Sequence, residues 1–91
     1  MQFEWDEAKA ASNLRKHGLD FDDAMRVFLD PRRLLAEDER FEYGEQRFRV
    51  LGAVDGRILF VACTWRGGVC RLISARRANA RERRRYETSD S

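Results

Sequence analysis

The chain has 91 residues, 43% of them hydrophobic and 37% charged, with a formal net charge of +2. That length supports one core with little to spare for a second, so a single domain over residues 1–91 is expected, ending in a frayed tail over 88–91. The longest apolar run, Ile58 to Cys63, cannot span a bilayer and the acidic start MQFEWDEAK lacks the pattern of an export signal, so a cytoplasmic protein without membrane contact is expected.

A short strand is predicted at QFEW, followed by a helix that Asp6 caps and Gly18 terminates near His17. Trp5, Lys9, Asn13 and His17 recur every fourth residue, which aligns them on one flank with Lys16 beside His17. A second helix is predicted from Asp20, burying Phe21, Ala24, Met25 and Phe28. It stops before Asp30-Pro31, because proline disfavours helical geometry in the residue preceding it. Four strands follow, at Arg33–Asp38, Gln46–Val54, Arg57–Trp65 and Val69–Ala75, and a last helix covers about Asn79–Glu87. VDGR signals a two-residue hairpin, WRGGV a looser turn, and the run ILFVACTW a central strand covered on both faces.

An Asp55-Gly56 turn pairs Val54 with Arg57, and therefore Arg47 with Thr64, Arg49 with Ala62 and Leu51 with Phe60. A three-residue loop at Arg66–Gly68 then sets Thr64 opposite Cys70, Ala62 opposite Leu72, Phe60 opposite Ser74 and Ile58 opposite Arg76. One face gathers Arg47, Arg49, Thr64, Ser74 and Arg76, spanning about 20 Å. The other carries Phe48, Val50, Leu59, Val61, Trp65, Val69 and Ile73 and is expected to be the core. A one-residue shift at Gly67-Gly68 would swap the faces of the last strand and bring Arg71 to the basic side instead.

Residues 1–40 carry 7 Lys+Arg against 10 Asp+Glu and residues 41–91 carry 11 against 6, so the second half is basic enough to steer a phosphate backbone. The densest stretch, RLISARRANARERRRYE, reads either as a grip for a polyanion or as the solvated side of a helix in a chain where arginine outnumbers lysine 16 to 2. Arg83, Arg84 and Arg85 encircle too much of a helix to form one site, and suit nonspecific RNA attraction or partner contacts. Two cysteines and a lone histidine make no recognisable zinc pattern, and Cys63 and Cys70 read as buried apolar residues with no disulfide between them.

The stretches FEWDEAKAASNLRKHGLDFDDA, VFLDP, GEQR and RLISARRANARERRRYE together resemble the BrnT family of bacterial type II toxins, over Phe3 to Glu87. The resemblance implies an α+β, RelE-like fold in which two N-terminal helices and a C-terminal helix pack on an antiparallel sheet in the order β-α-α-β-β-β-β-α. It implies an endoribonuclease that needs no metal or other cofactor and blocks translation. It further implies a BrnA-like antitoxin with a ribbon-helix-helix domain, forming a hetero-oligomer through which operator DNA is bound. The family-like positions are Trp5, Lys9, Asn13, Lys16, His17, Glu45, Arg47, Arg71, Ser74, Arg76, Glu82 and Tyr86.

Metal-free RNA cleavage requires a base near the 2′-hydroxyl, cations around the phosphate that gains charge and a proton donor for the 5′-oxygen. His17, Arg47, Arg71, Arg76 and Glu82 are the candidates for catalysis, and Lys9, Lys16, Arg49, Arg77 and Tyr86 for RNA contact. Each has a plainer alternative. His17 and Lys16 complement the carbonyls of a helix end, the arginines pair with Glu45 or Glu82, and Glu82 with Tyr86 anchors the last helix. Ser74 reads as a strand hydroxyl, and Trp5 and Trp65 as core. The rival to an enzyme is a binding module for RNA or protein that performs no chemistry.

Overall fold

The computed structural model describes residues 1–40 and 42–89. Among them the chain forms β1 (Gln2–Glu4), α1 (Glu7–His17), α2 (Phe21–Ala24), a 3₁₀ segment (Met25–Leu29), β2 (Leu34–Glu37), β3 (Phe48–Val54), β4 (Arg57–Arg66), β5 (Val69–Arg77) and α3 (Ala80–Thr88). The five strands make one sheet in the order β1-β5-β4-β3-β2. Strands β2 to β5 run antiparallel, but β1 runs parallel to β5, so the sheet is mixed where an antiparallel one was expected. The physical reason is the connection. No hairpin joins β1 to its neighbour, and the chain crosses the sheet through α1 and α2 before β2 begins at the opposite edge.

Local chemistry accounts for the first helix. The Asp6 carboxylate accepts hydrogen bonds from the Ala8 and Lys9 amides at 2.8 and 3.1 Å, and Gly18, at φ 69°, takes the left-handed conformation that ends α1. Asn13 then ties α1 to the sheet. Its side-chain amide donates to the Ala75 carbonyl at 2.8 Å, and its oxygen accepts from the Ala75 N–H at 3.0 Å. One side chain thus replaces a strand at the stretch of β5 that lies beyond its pairing with β1, and it is correspondingly buried.

The second predicted helix is α-helical for one turn and then winds as 3₁₀. Tertiary contacts override its periodicity here. Val27 lies against Gly52 so closely that a Cβ on that glycine would come within 2.9 Å of the Val27 Cβ, and Asp30 just beyond accepts the Ala53 N–H at 2.8 Å. The core on this side contains Leu19, Phe21, Val27, Val50, Leu59, Val61, Cys63, Cys70 and Leu72. Trp5 packs edge-on to Phe21, and Trp65 packs edge-on to both Phe28 and Phe48. Both cysteines are buried free thiols. Cys63 pairs across the strands with Leu72, where Arg71 was expected.

Registers separate into those a turn sets and those it does not. Asp55 and Gly56 both have positive φ, and β3 and β4 pair as predicted from Val54↔Arg57 to Arg49↔Ala62. At the next turn Gly67 and Gly68 also have positive φ, the loop has two residues, and Thr64 faces Arg71 rather than Cys70. A bulge at Ala62/Cys63 then inserts one residue in β5, so Ala62 faces Ser74 and Phe60 faces Arg76. Its effect is to put Arg71, Ser74 and Arg76 on one side of the sheet, where a regular strand permits either the first or the last two. Val69 joins Arg71 on that side, and Cys70 and Leu72 occupy the core face in place of the expected Val69 and Ile73.

On the far side of the sheet α3 covers a second, smaller cluster of Leu51, Phe60, Ala78 and Tyr86. Of the expected tail, Thr88 closes α3 and the Ser89 hydroxyl donates to the Tyr86 carbonyl at 2.8 Å, while residues 90 and 91 lie outside the described residues.

Candidate nucleic-acid interface

The side of the sheet that carries α3 is organised in rows across the strands. One row is Leu34, Leu51, Phe60 and Arg76, and the next is Ala36, Arg49, Ala62 and Ser74. Helix α3 lies on the first row because Tyr86, with Ala78 just before the helix, packs against Leu51 and Phe60, and Asn79 caps its start. The Asn79 oxygen accepts the Glu82 N–H at 2.8 Å and a Glu82 carboxylate oxygen accepts the Asn79 N–H at 2.9 Å, a reciprocal capping box. Tyr86, one turn further on, is buried and donates its hydroxyl to Asp30, with Arg32 above its ring at 5.5 Å. Burial and this bond raise the Tyr86 phenol. Burial works against ionisation of Asp30, but hydrogen bonds from Tyr86 and from the Ala53 and Arg32 amides outweigh it and hold that carboxyl below its usual range.

Between α3 and β2 a groove of about 690 Å³ remains open. Its floor is Leu34, Ala36, Leu51 and Phe60. Its walls carry Arg40, Arg49, Arg76, Arg81 and Arg85, of which Arg40 pairs with Asp38 at 2.8 Å and Arg76 with Glu82. Arg81 and Arg85 stand four apart on α3 and share the face that overlooks the groove. No ion pair or hydrogen bond among the described residues engages the guanidinium groups of Arg49, Arg81 or Arg85. A trough with an apolar floor and three guanidinium groups that no carboxylate among the described residues engages attracts an extended polyanion and offers its uncharged parts a dry surface.

The arginines expected to act in catalysis are all paired. Arg76 forms a two-pronged bond to Glu82, Nη1 to Oε1 at 2.8 Å and Nη2 to Oε2 at 2.9 Å, and its guanidinium lies 4.2 Å from the centre of the Phe60 ring. The same guanidinium, helped by the Asn79 N–H, keeps the Glu82 carboxyl below its ordinary range in spite of burial. Arg71 meets Glu4 at 3.1 Å, and Arg47 meets Glu45 at 3.5 Å while lying over the Tyr43 ring. Of these three, Arg76 lines the groove.

The remaining predicted residues are dispersed. Lys9, Lys16 and His17 are exposed on α1, which packs against the opposite face of the sheet and does not line the groove. His17 is the last residue of that helix, among the basic residues of its final turn. Arg77, opposite Leu59, is exposed and also outside the groove. Tyr86, one of the residues expected to contact RNA, is buried and anchors α3 through its bond to Asp30. Asn13 and Trp5 serve packing, and Ser74 sits in the same row as Arg49 with Ala62 between them. Arg81 and Arg40, which also line the groove, were not among the candidates, and Arg85 was read only as nonspecific RNA attraction or a partner contact. The spacing of Arg81 and Arg85 was a usable signal, whereas nothing near Arg40 in the sequence indicates that β2 brings it to α3.

The fold and groove together define a small α+β protein with a basic cleft suited to nucleic acid. The chain belongs to the BrnT family: the model of this family, the ribonuclease toxin of type II toxin–antitoxin systems, matches residues 5–82. No curated protein matches the chain as a relative. Family membership makes the protein a ribonuclease toxin whose natural partner is an antitoxin.

Proposed function

We propose that the α3 groove is the RNA-binding and cleavage site of a metal-independent endoribonuclease that inhibits translation. The toxin domain spans residues 1–91 in a RelE-like arrangement and acts in the cytoplasm. Its partner is a BrnA-like antitoxin with a ribbon-helix-helix domain, and operator DNA is bound only through their complex. The observation that carries the reading is the set of guanidiniums, Arg49, Arg81 and Arg85, that no ion pair among the described residues engages, beside Arg76, which Glu82 holds in the same groove.

In the reaction the 2′-oxygen attacks phosphorus, the bond from phosphorus to the 5′-oxygen breaks, and the proton leaving the 2′-hydroxyl is balanced by one delivered to the 5′-oxygen. A cyclic phosphate remains. Arg49, Arg81 and Arg85 hold flanking phosphates, and Arg76 faces the phosphate that gains charge. His17, across the sheet, takes no part in this scheme. The test is cleavage of RNA by the purified protein in excess chelator. Activity lost on replacing Arg49, Arg81 and Arg85 together by alanine, with the fold intact by circular dichroism, supports the reading. Cleavage by the wild type no faster than by this variant overturns it.

A second reading rests on one observation, the pairing of Arg47, Arg71 and Arg76 with carboxylates. In it the groove binds RNA or an acidic protein segment without chemistry. RNA binding without cleavage in the same assay favours this alternative.

A further inference from the structure

Glu82 touches three donors at once. Its Oε1 accepts from Arg76 Nη1 and from the Asn79 N–H, and its Oε2 accepts from Arg76 Nη2. The Arg76 guanidinium is therefore fixed at its end, between the two Nη atoms, and a second Nη1 bond reaches the Arg77 carbonyl at 3.2 Å. Its flat face is covered by Phe60. A guanidinium carries five N–H groups in one plane. Three are spoken for here, and the two that remain, Nε–H and the second hydrogen of Nη2, lie together on the side edge of the fork. No hydrogen bond among the described residues engages that edge. It has the spacing that takes two oxygens of one phosphate.

We infer that Glu82 is a positioning residue: it grips the end of the Arg76 fork so that the side edge stays free, in plane and aimed at the scissile phosphate. The inference rests on the proposed role of the groove. It differs from a general-base role, because a base needs a carboxylate oxygen open to the 2′-hydroxyl, and here both are occupied by donors. The grip also resists rotation. With Phe60 beneath and Asn79 behind, Arg76 has lost its side-chain freedom before RNA arrives, so ordering it costs little in the transition state.

The test uses Glu82→Gln, Arg76→Lys and the double variant in the full-length protein. Glutamine keeps an oxygen for the Asn79 N–H, so the capping box and the fold by circular dichroism should survive with a modest fall in melting temperature, while the two-pronged grip is lost. Glu82→Gln is expected to lower kcat about 10²-fold with KM changed by less than about threefold, the signature of an interaction made in the transition state. Because Glu82 acts through Arg76, the double variant should be no slower than Arg76→Lys alone. An equal further loss in the Arg76→Lys background would show an independent role for Glu82 and overturn the inference.

A second readout does not need cleavage. The Nε–H resonance of Arg76 should shift when a fully 2′-O-methylated RNA is titrated into the wild type, and should not shift in Glu82→Gln. An unmoved wild-type resonance, with RNA bound, also overturns it. If the wild type cleaves nothing but the resonance shifts, the enzymatic reading fails while the positioning of Arg76 stands.

Discussion

The two faces of the sheet use the same strands for opposite ends. On the face toward α1 and α2, Leu59, Val61, Cys63 and Leu72 are excluded from water among aromatic rings that meet edge to face. On the face toward α3 the cluster is small, Leu51 and Phe60 form the floor of a groove, and arginines stand around it. The first face closes on itself because every large side chain there finds another. The second stays open because its long side chains carry charges that remain solvated. A β-bulge brings Arg71, Ser74 and Arg76 together on that open side. Substitutions on the covered face should therefore change stability with little direct effect on RNA, and substitutions of the groove arginines on the open face should do the reverse.

The largest effect is expected from Leu59→Ala, which leaves a cavity in the fully buried centre of β4 and should cost roughly 2–5 kcal/mol in denaturant unfolding. A loss below about 1 kcal/mol would mean that this face is less tightly packed than its burial indicates. Tyr86→Phe removes the donor to Asp30 that holds α3 against the rest of the protein, at a cost of about 1.5–3 kcal/mol. Gly52→Ala forces the Val27 backbone away from β3 and should cost roughly 1–3 kcal/mol.

Acid should act more gently. Asp30, Asp38 and Glu82 have folded pKa values depressed below their ordinary 3.8 or 4.5, so their contribution to stability is complete above those values and is lost as pH falls through the folded ones. Unfolding followed against pH should show no loss from these groups between neutrality and about pH 5 and a decline below about pH 4. In Tyr86→Phe, Asp30 loses one of the bonds that depress it, so the part of that decline due to Asp30 should shrink.

The smallest effect on stability belongs to Arg49, Arg81 and Arg85. Replacing all three by alanine should move the unfolding free energy by no more than about 0.5 kcal/mol per site. The same triple variant should flatten the dependence of RNA affinity on salt by about 2 in logarithmic slope, three contacts at about 0.7 each. An unchanged slope would remove these arginines from the RNA interface and leave the contrast between the faces without a functional meaning.

The parts of the fold that were legible are those where a few adjacent residues decide the backbone. Asp6 and Gly18 bound α1, Asp55-Gly56 sets the register of β3 on β4, and Asn79 starts α3, each through local hydrogen bonds or a permitted positive φ. The parallel pairing of β1, the 3₁₀ winding of Met25–Leu29 and the bulge were not legible, because each depends on a neighbour far along the chain. The same division runs through the site. The arginine-dense C-terminal stretch pointed to α3 and to Arg76, but arginines look alike in sequence whether a carboxylate neutralises them or not.

The sequence by itself determined which segments become strands and helices, where two of the turns fall, and that the second half of the chain is basic, since these follow from short-range backbone preferences and from composition. Tertiary structure alone decided that Asn13 stands in for a strand beside Ala75, that Arg76 is clamped by Glu82 over Phe60, and that Arg49, Arg81 and Arg85 meet at one groove where no carboxylate among the described residues pairs with them. Charge acts through space, and distance in space is set by packing.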